Sequence, residues 1–161
     1  MSSLLIVTTG GTIDKVYFDA KSDYEVGDSV VSELLLQAHV RCPFEVLSPV
    51  RKDSLELTDV DRQLICRTIS DRSERQVVVT HGTDTMTETA AVLSELTDRV
   101  IVMTGALAPA RFAQTDALFN VGMAFAAAQT LDAGVYIAMN GEIFDWRGVR
   151  KDRAQNAFVR C

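Results

Sequence analysis

Histidine is almost missing from this sequence: only His39 and His81 occur. Two imidazoles alone do not make a persuasive metal site, so no metal and no cofactor are expected. Cysteine is scarce as well. Cys42, Cys66 and Cys161 are odd in number and fit no metal-ligand spacing, which points to reduced thiols rather than a disulfide framework. Basic residues are outnumbered, with 16 Lys and Arg against 22 Asp and Glu and a net charge of −6. A nucleic-acid backbone asks for clustered Lys and Arg, so no such partner is expected, although a small anion held at a local site is not excluded. No apolar run is long enough to span a bilayer, and the stretch around 121–128 is interrupted. The opening "MSSLLIV" lacks the basic segment and long apolar run of a secretory signal. These absences together predict no membrane partner and a cytoplasmic location. Internal repeats and low-complexity stretches are also absent.

What is present fits one domain over residues 1–161, with 47% hydrophobic and 24% charged residues. Short, wholly apolar runs alternate with amphipathic ones. Strands are predicted at Leu4–Thr8, Phe44–Leu47, Gln76–Thr80, Val100–Thr104 and Gly134–Met139. Helices are predicted at Val30–Ala38, Thr58–Ile69, Thr85–Leu96 and Thr115–Gln129, the third opening with a Thr85–Glu88 capping box. Asn140-Gly141 signals a hairpin turn into Glu142–Phe144. Strand-helix alternation with strands apolar on both sides implies βαβ units around a mainly parallel sheet with helices on both faces. This is a doubly wound, Rossmann-like three-layer α/β sandwich built with right-handed crossovers. The Ala- and Phe-rich helix near 119–128 is expected to be core, with self-association into a homodimer as the alternative use of its apolar side chains.

In such sheets ligands bind beyond the carboxyl ends of the strands. Here those ends carry "TTGGTI", "THGTDTM" and "TGALAP". None has the spacing of a phosphate loop or a dinucleotide fingerprint. Gly10 and Gly11 can adopt positive φ and turn their N–H groups toward a developing oxyanion. Thr12 and Thr83 follow glycines and offer hydroxyls, and Asp84 offers a carboxylate at a helix start, where it also suits the helix dipole. A hydroxyl nucleophile needs a base. His81 is a poor candidate, because strand alternation turns it away from the Thr80 and Gly82 side. Lys15, Lys151, Tyr17 and Tyr24 are the other candidates.

The two ordered motifs, "TTGGTI" and "VVVTHGTDTMTETA", together with "VIVMTGALAP", "SDYEVGD" and "FDWRGVRKDR", resemble the bacterial-type L-asparaginase family over nearly the whole chain. The resemblance implies a metal-independent amidohydrolase that converts asparagine to aspartate and ammonia through an acyl-enzyme. Thr12 would be the nucleophile, and Tyr24, on a flap, would help activate it. Thr83, Asp84 and Lys151 would form a second triad, with Lys151 taking a proton. Such a lysine must be neutral to act; burial favours that form and a neighbouring carboxylate opposes it. Ser54 would hold the α-carboxylate of the substrate, and Gly11, Gly82, Thr83 and Asp84 would line its pocket.

Two departures set further expectations. Leu55 follows Ser54 where the family carries a polar side chain, so head-group recognition lacks a donor there. The family also continues past the position of Cys161 into a smaller α/β domain that closes a neighbouring subunit's site. The chain is therefore expected to be an open amidohydrolase, to assemble differently, or to be a binding module for aspartate or a related amino acid. A subunit of a tRNA amidotransferase and a purely structural domain complete the alternatives.

Overall fold

A computed structural model describes residues 3–161. In chain order the strands and helices are β1 (Leu4–Thr8), β2 (Lys15–Phe18), β3 (Asp23–Val26), α1 (Val31–Gln37), β4 (Phe44–Leu47), α2 (Asp59–Ser70) and β5 (Gln76–Thr80). They continue as α3 (Met86–Leu93), β6 (Val100–Thr104), α4 (Ala117–Thr130), β7 (Gly134–Met139), β8 (Glu142–Asp145), β9 (Val149–Asp152) and β10 (Ala157–Arg160). Six strands make the central sheet in the order β4-β1-β5-β6-β7-β8. The first five are parallel and β8 is antiparallel at the edge.

Alternation along each strand builds two cores, as the period of two requires. Leu5, Val7, Val77, Val79, Ile101 and Met103 face α2 and α3, where Ile65, Ile69, Met86 and Leu93 cover them. Leu4, Ile6, Val78, Val102 and Ala138 face the other way, under α1 and α4, against Leu35, Val121 and Ala124. The doubly wound sandwich is therefore present as expected.

Handedness departs from expectation at one place. The connections β4 to β5 and β5 to β6 run in one direction across the sheet with α2 and α3 on the first face. The step β1 to β4 runs oppositely with α1 on the second face, which is the same hand. The step β6 to β7 keeps the first direction but puts α4 on the second face, so its hand is opposite to the other three. Right-handed crossovers are the strong default. Here α1 has only seven residues and cannot cover its face alone; the fourteen-residue α4 supplies the missing cover.

Several local expectations are corrected. The third helix runs only from Met86 to Leu93, and Thr85 makes no capping hydrogen bond. A capping box exists instead at Thr58 and Asp61, where each side chain accepts the other's backbone N–H. Helix α4 is not core on all sides: Leu118 and Phe119 are 40% and 64% exposed. The Asn140-Gly141 turn is as expected, with both residues at positive φ between β7 and β8. Two small hairpins lie outside the main sheet, β2–β3 and β9–β10.

Candidate active site

From β1 the chain turns to β4 on one side, and β5 flanks β1 on the other. This is the switch point of the sheet, where the connections diverge and leave a crevice at the carboxyl ends. The segments that emerge there are 9–14 after β1 and 81–85 after β5, with 52–56 packed beside them.

The glycines are required by close approach. Gly10 and Gly11 have φ of 100° and 91°, a region open chiefly to glycine. A Cβ on Gly10 would lie 2.5 Å from the Lys52 carbonyl oxygen, and one on Gly11 would lie 2.4 Å from the Gly82 nitrogen. A Cβ on Gly82 would meet the Ser54 Cβ at 2.6 Å. Three backbones therefore stack against one another at this crevice. Thr12, directly after Gly11, begins a single turn over Thr12–Asp14 and is half-buried.

Thr83, directly after Gly82, is 7% exposed. The Lys151 ammonium donates to Thr83 Oγ1 at 2.7 Å and to Asp84 Oδ1 at 2.9 Å. Arg153 Nε stands 3.5 Å from the same Asp84 oxygen. Lys151 is carried on β9, opposite Phe158 of β10. Phe158 is buried in the core, and its N–H donates to Asn140 Oδ1, which anchors the hairpin to the β7–β8 turn. Ser54 is 1% exposed; its Oγ accepts the Asp84 N–H at 3.2 Å, and its carbonyl accepts from Thr85 Oγ1 at 2.8 Å. The Thr85 hydroxyl thus serves the site, which explains why it caps no helix. Leu55 is 64% exposed beside Ser54.

Tyr24 is not drawn into this cluster. It lies on the β2–β3 hairpin, 45% exposed, with its ring edge-on to Tyr17 and Phe112 at 5.3 and 5.7 Å between centroids. Among the described residues neither its hydroxyl nor that of Thr12 has a hydrogen-bond partner. Tyr24 instead borders a cavity of about 360 Å³ between the hairpin and the 51–56 loop, with Lys15, Arg51 and Asp53 on its walls.

His81 is fully buried and is no base. Its Nδ1 lies 2.6 Å from the Gly82 carbonyl, which only accepts, so Nδ1 carries the proton. Nε2, 2.7 Å from Thr89 Oγ1, then accepts. Burial pushes the imidazole down to about 4, and the nearby Arg62 charge adds to this; the Gly82 hydrogen bond and the Asp53 charge work against it. His81 is neutral at pH 7 and fixes the peptide before Thr83.

Lys15, one of the candidate bases, lies at the edge of the site instead, beside Asp53, which the sequence does not announce. They pair at 3.0 Å. Burial works to raise the Asp53 carboxyl, but hydrogen bonds from Lys15 and the Leu55 N–H, with the Lys15 and Lys151 charges, hold it below the usual carboxylate range. Among the described residues no cluster of His, Cys, Asp and Glu is arranged to hold a metal, and no helix is long and apolar enough to cross a membrane.

An open, doubly wound sheet with hydroxyl, ammonium and carboxylate groups gathered at its switch point defines the class. Comparison with known proteins gives the family. The sequence model of the asparaginase N-terminal domain matches residues 3–159, and the chain belongs to the asparaginase family. It is 32% identical over 168 residues to a glutaminase-asparaginase of Pseudomonas fluorescens, covering 94% of this chain and 46% of that protein. It is 33% identical over 167 residues to L-asparaginase 2 of Escherichia coli, covering 94% and 47%. The thermostable L-asparaginase of Thermococcus kodakarensis superposes with a TM-score of 0.85 at 26% identity, over 98% of this chain and 51% of that one. The chain spans about half the length of the relatives it matches.

Proposed function

We propose that the chain is an asparaginase-type amidohydrolase that cleaves the side-chain amide of L-asparagine with Thr12 as nucleophile. The observation that carries this reading is the Thr83–Lys151–Asp84 contact set beside the Gly11–Gly82 approach, in a member of the asparaginase family. Thr12 Oγ forms a bond to the amide carbon as its proton leaves toward a base. The oxyanion forms among N–H donors of the glycine turn. The C–N bond then breaks, and the departing nitrogen takes a proton to leave as ammonia. Water attacks the resulting ester, gives one proton to the relay, and releases aspartate and Thr12.

Lys151 joins Thr83 to Asp84 and is placed to pass a proton along that pair. Tyr24 approaches Thr12 when the hairpin folds onto bound substrate. Ser54, Gly11, Gly82 and Asp84 shape the pocket, and the Ser54 hydroxyl, which accepts from Asp84 N–H, keeps its own proton to offer a carboxylate. A homodimer through the exposed Leu118–Phe119 face is also proposed; light scattering that shows monomer alone removes it.

The test is ammonia release from L-asparagine and L-glutamine by the chain and by Thr12→Ala and Thr83→Ala. Release lost by orders of magnitude in both variants, with melting temperatures close to the parent's, supports the reading. The second reading is a binding module for aspartate, favoured by the exposed Leu55 where a polar contact is expected. Aspartate binding without ammonia release would select it.

A further inference from the structure

The β2–β3 hairpin leaves the fold at Lys15 and returns at Gly27, whose N–H donates to the carbonyl of the buried Asp14 at 2.8 Å. Tyr17 and Tyr24 are cross-strand partners and share one face with Lys15 and Val26. That face looks over the crevice, because Lys15, Tyr24 and Val26 all border the cavity against the 51–56 loop. Beyond the neck, and among the described residues, two side-chain ties hold the hairpin to the rest of the fold by ion pair or ring. Lys15 pairs with Asp53 at 3.0 Å. The Tyr24 ring meets Phe112 edge-on, with 5.7 Å between centroids. Asp53 follows β4 and Phe112 follows β6, and these strands flank the β1–β5 pair on opposite sides. The hairpin therefore straddles the switch point of the sheet, with one seat on each side.

The seat at Phe112 is fixed in place. Both Asp116 carboxylate oxygens accept the Leu107 N–H at 3.0 Å, and Oδ1 also accepts the Ala108 N–H at 3.1 Å. The buried Asn120 donates through Nδ2 to the Gly105 carbonyl at 2.9 Å and to Asp116 Oδ2 at 2.8 Å. The Ala110 N–H donates to the Ile13 carbonyl at 3.1 Å, which clasps this loop to the Thr12 turn, and the Phe112 N–H donates to the Pro109 carbonyl at 3.0 Å. The hairpin strands, by contrast, are largely exposed. With the Tyr24 ring on Phe112, neither the Tyr24 nor the Thr12 hydroxyl has a partner among the described residues. The Phe112 contact and a Tyr24–Thr12 contact are thus alternatives.

We propose that Phe112 is a positioning residue, a seat that parks the β2–β3 hairpin with Tyr24 off Thr12. Tyr24 leaves this ring when the hairpin folds onto substrate. An edge-on ring pair favours the parked arrangement by about 2- to 10-fold. Molecules held parked are not competent to close, so the seat weakens apparent substrate affinity by the fraction it withholds. The bearing of the seat on turnover rests on the amidohydrolase reading, because it acts through Tyr24; the parking itself does not.

The first readout is the hairpin itself. Backbone-amide exchange over residues 17–25 is compared without substrate in the parent chain, Phe112→Ala and Phe112→Tyr. Phe112 is 42% exposed, so truncating it leaves both cores intact. Exchange should quicken by about 2- to 10-fold in Phe112→Ala and return to the parent rate in Phe112→Tyr, which keeps a ring. In a Tyr24→Ala background, Phe112→Ala should add nothing, because the pair is already broken. Unchanged exchange in Phe112→Ala, or an equal effect in the Tyr24→Ala background, overturns the seat. The second readout is steady-state ammonia release. KM for L-asparagine should fall in Phe112→Ala, by no more than the exchange factor, with kcat changed less. A KM that is unchanged or higher overturns the parking, because the ring would then serve the closed hairpin at least as well. A chain that releases no ammonia would sink the proposed function, and exchange alone would then decide the seat.

Discussion

At the scale of single residues, the site rests on groups whose substitution should separate chemistry from stability. Gly11 belongs to both. Alanine there meets a φ of 91° and the Gly82 nitrogen at 2.4 Å. Gly11→Ala should therefore lower stability by about 1–3 kcal/mol or more and abolish ammonia release; denaturant unfolding beside the assay checks both. Lys151→Met should act differently. It removes the group joining Thr83 and Asp84 and should cut kcat by about 100-fold or more, as a lost proton relay does, while the protein stays folded by circular dichroism. Near-parental kcat in that variant would remove Lys151 from the mechanism. Most of these residues were legible in the sequence because they sit in two dense motifs at strand ends. Asp53, its pairing with Lys15 and the true partner of Thr85 were not. Thr85 and Ser54 are thirty-one positions apart, and a capping box at three-residue spacing is the simpler local reading of Thr85 and Glu88.

At the scale of elements, the buried strands and their order of appearance follow from apolar runs that no other structure would satisfy. The small hairpins do not. "KVYF" and "DYEV" are short, half-polar and largely exposed, so they carry no hydrophobic period. They form because tight anchors at Asp14, Gly27 and Asn140 bring the chain back on itself. The hand of the β6–α4–β7 crossover is invisible to any local pattern, because it depends on which face is left uncovered once α1 has been placed. Helix α2 makes a cleaner prediction. The Thr58–Asp61 box satisfies two N–H groups at its start, and Thr58→Ala should lower the unfolding free energy by about 1 kcal/mol without touching ammonia release. A change in release would mean that α2 positions the 52–56 loop through the Lys52–Asp61 pair at 2.9 Å.

At the scale of the whole molecule, two buried groups set opposing responses to pH. His81 has its folded value lowered from 6.5 to about 4, so its contribution is complete above 6.5 and is lost as pH falls through 4. Asp14 is raised from 3.8 to about 6, so it favours the fold most below 3.8 and that advantage is lost as pH rises through 6. Each is worth roughly 3 kcal/mol over its window. They should nearly cancel, leaving the melting temperature almost flat between pH 4 and 6. Asp14→Asn removes one arm and should turn the plateau into a rise with pH; calorimetry across this range checks it, and a plateau in both proteins would contradict the assignment. The central claim concerns the threonine at the glycine turn. Its most direct test is mass spectrometry of the chain quenched in acid during turnover of L-asparagine. An aspartyl ester on the peptide that holds Thr12 is the predicted result. Ammonia release with the ester on Thr83, or with no ester on any residue under conditions that trap one in an L-asparaginase control, would contradict it.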